Sequence, residues 1–258
     1  MSEIDDSKMP LLAHLVELRR RLLWSAVALG LAFAVCFYFA RPIWTLLLEP
    51  LRIAGQEKLI YTDVFEAFFV EIKVAFFAAI MVAFPVFATQ IWRFVAPGLF
   101  RNEKKAFLPF LMFTPILFAL GSALAYFVAI PLALRFLLGF AGDVGGISQE
   151  ALPAVGNYLN FVTTFMFAFG VAFLLPVLLI LLEKAGIVTR AQLKSGRRFS
   201  IVGAFAASAI LTPPDFVSQL LLALPLIVLY ELAIIVIWFT QRREKALEQT
   251  ESESPDPS

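Results

Sequence analysis

Two glutamates set among cations are the residues of this sequence best suited to binding chemistry. Glu17 stands in HLVELRRRLL, four residues before Arg21, and Glu103 stands in FRNEKK beside Arg101, Lys104 and Lys105. Either could be a solvated member of an i,i+4 helix pair, contributing roughly 0.3–0.5 kcal/mol. Either could instead accept guanidinium groups from a partner, where bidentate geometry gives a specificity that lysine does not match. Spacing does not choose between these two. A second polar pair is Asp215 and Gln219, one helical turn apart after a double proline. An aspartate there suits an N-cap, accepting from free N–H groups at the positive end of the helix dipole, while Gln219 on the same face would make a polar contact site. Glu231 lies roughly 22 Å further along the same apolar segment, where a carboxylate is costly and by default functional unless hydrated at the interface. Lys73, near Glu66 and Glu71, is expected to form a structural ion pair with one of them.

Enzymatic chemistry has little to work with. His14 is the only histidine and Cys36 the only cysteine, so no Cys/His metal site and no intrachain disulfide can be built. No GxSxG or HExxH pattern supplies a nucleophile or metal ligands, and no GxxxxGK[ST] loop supplies a phosphate cradle. No cofactor is expected, and the chain is read as a binding protein and not an enzyme.

The elements that must position these groups are set by hydropathy. A 60% hydrophobic content, 28 phenylalanines and a mean hydropathy of +0.85 exceed what one soluble core of 258 residues buries. Charge-free runs extend over Leu22–Ala40, Val74–Trp92, Ala106–Leu134, Ala151–Leu182, Phe199–Pro214 and Phe216–Tyr230. A crossing needs roughly 20 apolar residues, which the first four satisfy. The fifth reaches only ~24 Å against a ~30 Å hydrocarbon core, and the sixth is similarly brief before Glu231, so both are expected to be short and to thin the bilayer locally. Prolines 85, 109, 115, 131, 176 and 225 fall in or beside these runs and are expected to bend the helices into a concave wall. The fold class is therefore an all-α polytopic membrane protein with six transmembrane helices.

Six crossings put both termini on one side, and charge decides which. Arg41, Arg52, Lys58, Lys73 and Arg135 fall in the loops of one side, and the remaining sixteen of the 21 basic residues fall on the other. By the positive-inside rule the termini and the Phe94–Lys105 loop face the cytoplasm. The net charge of +1 carries no nucleic-acid signal, because the cations are placed by topology. Residues 1–21 form a cytoplasmic segment with an amphipathic helix, in which Leu11, Leu15, Leu18 and Leu22 share a stripe. The acidic, polar start lacks a cleavable apolar core and is expected to be retained. Residues 22–241 form the membrane domain, and the acidic tail 242–258 is expected to be disordered. Between the first two spans, the 41–69 connection is expected to pack over the helix ends on the exterior, with the 142–156 loop as a second cap.

Several blocks make the chain resemble a known family: HLVELRRRLL at 14–23, IWRFVAPGLFRNEKK at 91–105, AYFVAIPLAL at 125–134, FAFGVAF at 167–173, VGAF at 202–205 and LTPPDFVSQLLLALP at 211–225. They resemble TatC, the multispanning subunit of the twin-arginine protein translocase, and HLxELR with LTPPDxxSQ in that order is a specific combination. The resemblance implies a bacterial inner-membrane protein whose cytoplasmic face binds Arg-Arg signal peptides of folded precursors, through Glu17, Arg19 and Glu103 with Leu22 and Phe94 nearby. It implies that TatA-type and TatB-type single-span helices pack against the fifth and sixth helices. It further implies that Pro50, Phe68, Asp215 and Gln219 shape the exterior cap and contact surface, that copies of the chain associate, and that the proton-motive force drives transport. One departure is visible: many members carry a glutamate before the Val-Pro pair of the fourth span, where this chain has Leu174 before Leu175-Pro176. Two rival classes remain: a small proton-coupled secondary transporter using Glu231 and Asp215, and a structural scaffold that needs neither Glu17 nor Glu103.

Overall fold

The computed structural model describes the backbone at residues 3–99, 108–144, 147–212 and 215–253, and side chains at 15–93, 112–143, 150–212 and 215–242. Segments this apolar must close their backbone hydrogen bonds internally, and helix is the result. In chain order the helices are α1 (Glu3–Tyr38), α2 (Ala40–Ile53), α3 (Glu66–Leu99), α4 (Leu108–Leu124), α5 (Ile130–Leu138), α6 (Val155–Ala172), α7 (Leu175–Lys184), α8 (Arg190–Ser195), α9 (Arg197–Leu211) and α10 (Phe216–Glu253). Five described stretches are long and apolar enough to cross a membrane: Leu15–Tyr38, Glu66–Arg93, Met112–Leu138, Val155–Lys184 and Phe216–Arg242. The protein is a multi-pass membrane protein with an all-helical core.

Two of these stretches are composite. A π-helical segment, Ala125–Ala129, joins α4 to α5 immediately before Pro131. The proline supplies no N–H to the carbonyl four residues back, and the wider π turn absorbs the misfit. Similarly, α6 and α7 are separated at Phe173–Leu174, just ahead of Pro176. Pro50, Pro115 and Pro225, in contrast, lie inside uninterrupted helices.

The last two helices differ from each other. With 15 residues, α9 reaches about 22 Å and is as short as expected. The expected short sixth helix is corrected: α10 is one continuous helix of 38 residues, with Glu231 inside it. Glutamate is a good helix former and does not end the helix, and its carboxylate pairs with Arg197 at the start of α9, 2.8 Å away. Helical backbone also continues past Gln241 to Glu253, into the stretch whose composition suggests disorder. That stretch holds strong helix formers, Glu244, Lys245, Ala246, Leu247 and Glu248, and no glycine or proline before Pro255.

Packing follows close approach. Gly121 of α4 and Gly170 of α6 face each other's helices, and a β-carbon on Gly170 would sit 2.6 Å from the Phe118 ring and 2.7 Å from the Ser122 hydroxyl oxygen. Ser122 donates to the Met166 carbonyl, 2.9 Å, which holds the crossing tight. The largest cluster joins Leu47 and Leu51 of α2, Val70 and Val74 of α3, Ile130 of α5, Val155, Leu159 and Phe165 of α6, and Leu222 of α10. The start of α10 therefore lies at the α2 end of the molecule.

That end is tied by polar bonds. Tyr126 and Tyr158 donate to the Leu46 and Leu47 carbonyls, each at 2.7 Å. Glu66 accepts from the Gly156 amide at 2.6 Å and from the Thr62 hydroxyl at 3.0 Å. Strands β1 (Gly142–Val144) and β2 (Ile147–Gln149) form an antiparallel pair, and Ile60 bridges Ala154 in parallel. The 41–69 connection and the 142–156 loop thus form one cap. At the opposite end Tyr230 donates to the Leu193 carbonyl of α8, 2.8 Å, and Gln241 donates to Glu183, 2.5 Å.

Candidate functional site

Burial along α1 recurs at Glu17, Arg21, Ser25, Ala28, Ala32 and Cys36, a stripe of period near 3.6 that packs on α3. Glu17 and Arg21 head that stripe. Arg21 donates to Glu17 Oε1 through Nε at 3.1 Å and through its terminal nitrogen as well, with side chains 16% and 34% exposed respectively. The leucine stripe does not take this contact, Leu15 and Leu22 being 59% and 68% exposed. In lipid an apolar face has no reason to turn inward, so the polar edge takes the helix–helix contact.

At 100° per residue Arg19 lies about 200° around α1 from Glu17, and Leu22 about 140°. The structure therefore separates them from the Glu17 carboxylate, on a face turned away from α3. Phe94 belongs to the last turns of α3, with its side chain outside the described set, and Glu103 lies outside the described residues. Between α1 and α3 at this level is a cavity of about 320 Å³ lined by Arg20, Arg21, Trp24, Gln90 and Arg93. The sequence signals nothing of it, because pairing of the 20–24 and 90–93 turns is a property of the fold.

At the α2 end the other expected residues do structural work. Asp215 caps α10, accepting from the Ser218 amide at 2.7 Å, while its second oxygen and the Ser218 hydroxyl are buried without a partner. Gln219 donates to the Phe205 carbonyl of α9, 3.2 Å, so its amide links the two helices. Pro50 is buried in α2, and Phe68, at the start of α3, is 60% exposed beside Phe69. The expected Lys73 ion pair is corrected: Glu71 binds Arg41 at 3.0 Å, Glu66 serves the cap, and Lys73 has no carboxylate partner among the described residues. Lys73 instead lines a cavity of about 510 Å³ with Asn160, Thr163 and Thr164 along one wall and Leu211 at its edge.

Leu174 lines a different cavity, about 530 Å³, whose walls include Ile91, Val171, Leu175, Leu178 and Leu226. Its polar members, Trp92 and Thr114, are bonded to each other, indole Nε1 donating to Oγ1 at 2.9 Å. No ionisable side chain replaces the missing glutamate among the described residues that line it.

A family profile described as Sec-independent protein translocase protein (TatC) matches residues 13–225. The chain belongs to the TatC family. It is thus a component of a protein translocase and not an enzyme. A TatC of Magnetococcus marinus is 47% identical over 231 residues, which is 89% of this chain and 84% of that one. A TatC of Aquifex aeolicus is 40% identical over 244 residues, 93% of this chain and 100% of the relative. A crystal structure of the twin-arginine translocase receptor TatC in DDM superimposes with a TM-score of 0.77 at 41% identity, covering 86% of this chain and 98% of the other. A second crystal structure of a twin-arginine translocase receptor TatC gives 0.76 at 40% identity, over 88% and 99% of the two chains.

Proposed function

We propose that this chain is the receptor and core subunit of a twin-arginine translocase. It binds Arg-Arg signal peptides of folded precursors through Glu17, Arg19, Leu22, Phe94 and Glu103, and assembles TatA-type and TatB-type single-span partners for export driven by the proton-motive force. The observation that carries this is the orientation of Glu17. Its carboxylate heads the stripe by which α1 packs on α3, and α3 leads directly into the segment that holds Glu103. Two carboxylates at one site would meet the two guanidinium groups of an Arg-Arg pair, each in a bidentate contact. Arg19 and Leu22, on the far side of α1, would then meet a different stretch of the signal from the arginine pair.

The remainder follows the same frame. Residues 22–241 form six crossings, with α9 the fifth and shortest, between cytoplasmic segments 1–21 and 242–258 in a bacterial inner membrane. The breaks before Pro131 and Pro176 shape a concave wall. Copies of the chain associate, and Pro50, Phe68, Asp215 and Gln219 organise the exterior surface on which single-span helices dock beside α9 and α10. Against the transporter alternative, Glu231 is paired with Arg197 and one oxygen of Asp215 serves its own helix cap.

A photoreactive probe at position 103 tests the receptor role. Crosslinking to a precursor with an Arg-Arg signal and not to its Lys-Lys counterpart is the expected result. Equal crosslinking of both, or of neither, would leave Glu103 as a structural carboxylate and favour a scaffold.

A further inference from the structure

The cavity between α1 and α3 is lined by three arginines, Arg20, Arg21 and Arg93, with Gln90 and Trp24. Among the described residues lining it there is no carboxylate. Arg21 is held by Glu17, whereas Arg20 and Arg93 have no carboxylate partner among the described residues. Cations brought together in this way repel one another, and an anion between them reverses the sign of the interaction. The donor set is specific: planar guanidinium forks match phosphate oxygens two at a time, and an amide adds a neutral donor.

The surroundings say what kind of anion enters. The cavity lies where the apolar spans beginning at Leu15 and ending at Arg93 meet their polar flanks, the level of lipid headgroups. From Trp24, 62% exposed, an apolar stripe runs along α1 through Val27, Leu31 and Val35, at 53%, 67% and 60%. These positions follow i, i+3, i+7 and i+11 and share one face. A soluble phosphate would use the arginines and leave that stripe unoccupied, whereas a phospholipid uses both, its phosphate in the cavity and an acyl chain along the stripe. Basic pockets between membrane helices hold anionic headgroups in this manner. We infer that the Arg20–Arg21–Arg93 cavity is a binding site for the phosphodiester of an anionic phospholipid, in the leaflet on the side of the N-terminus, distinct from the proposed signal-peptide carboxylates although Arg21 borders both.

The test uses the full-length chain in phosphatidylcholine nanodiscs containing a small fraction of nitroxide-labelled lipid, read by tryptophan fluorescence. Labelled phosphatidylglycerol is expected to quench several-fold more effectively than labelled phosphatidylcholine at equal mole fraction. The excess should fall in Trp24→Phe, with Trp92 and Trp238 supplying any remainder, and the preference should collapse in the Arg20→Gln/Arg93→Gln double variant. Equal quenching by the two lipids in the unaltered chain overturns the proposal, and that comparison does not depend on any variant folding. So does an excess undiminished in Trp24→Phe, or a preference undiminished in a folded double variant. If inorganic phosphate in excess of the lipid abolishes the preference, the site is one for a soluble anion and the lipid assignment fails.

Discussion

Glu17 is where two chemistries compete for one carboxylate. Its bond to Arg21 is an i,i+4 pair at a partly exposed position, so that pair is worth well under about 1 kcal/mol. An incoming guanidinium can exchange with Arg21 at small cost. The two roles then separate by mutation. If Glu17 accepts a signal-peptide arginine, Glu17→Gln should weaken binding of an Arg-Arg signal peptide about 10–100-fold, matching loss of a charged hydrogen bond of about 1.5–3 kcal/mol. Arg21→Gln, which removes the competitor, should preserve or tighten that binding. Equal weakening by both substitutions, measured by peptide titration of the purified chain, would reduce Glu17 to a helix-stabilising partner. The sequence makes Glu17 legible as a candidate through its motif and its crowd of cations. It does not show which side of α1 it occupies, because most faces of a membrane helix are apolar and periodicity there carries little signal. Lys73 illustrates the same limit: proximity in sequence offers it Glu66 and Glu71, but tertiary contacts claim both, Gly156 taking the first and Arg41 the second.

At the scale of elements, backbone approach outweighs side-chain volume. The α4–α6 crossing works because Gly170 leaves room for Phe118 and Ser122. Gly170→Ala should therefore lower stability by about 1–3 kcal/mol through overpacking, seen as a lower melting temperature of the purified protein. Gly203 of α9 has open space where a β-carbon would lie, so Gly203→Ala should leave that temperature unchanged or raise it slightly through helix propensity. Equal losses at the two positions would show that helix propensity or unfolded-state effects, and not the crossing, dominate. A second element-level case is α10. Its length is misjudged from sequence because a lone Glu231 looks like an interruption, and only the fold shows that Arg197 meets it across the α9–α10 pair. Both partners are substantially exposed, so Glu231→Gln should cost less than about 1 kcal/mol and leave export of an Arg-Arg precursor largely intact. Complete loss of export at normal protein level would revive a proton-carrying role. The cap formed by residues 41–69 and 142–156 and the brevity of α9 were readable from run lengths and turn residues, whereas only five described stretches are long enough to cross alone, so the expected count of six rests on α9. The π segment before Pro131 and the break before Pro176 were readable only as positions of strain, since sequence does not say which proline a helix will accommodate.

For the whole molecule the decisive quantity is parity. Five described stretches are long enough to cross alone, and α9 spans about 22 Å, short of a ~30 Å hydrocarbon core. If α9 stays on one side, five crossings put the termini on opposite faces. If α9 crosses with local thinning, six crossings put them on the same face. Contacts favour crossing, because Arg197 at one end of α9 meets Glu231, while Gln219 meets Phe205 and Leu211 shares a cavity wall with Lys73 near the opposite end. The charge distribution agrees, since Arg190, Lys194, Arg197 and Arg198 then lie on the same side as Arg19, Arg20 and Arg21. Cys36 is the only cysteine, so a Cys36→Ser background allows single reporters at 148, 195, 216 and 253, position 216 being chosen because Phe216 is 71% exposed just after the turn that follows α9, whereas Thr212 is buried. A membrane-impermeant maleimide added outside intact cells should label 148 and 216 and spare 195 and 253 until the membrane is opened. Labelling of 253 together with protection of 216 would mean that α9 does not cross. The proposed cytoplasmic placement of both termini would then fall, even with the TatC fold unchanged.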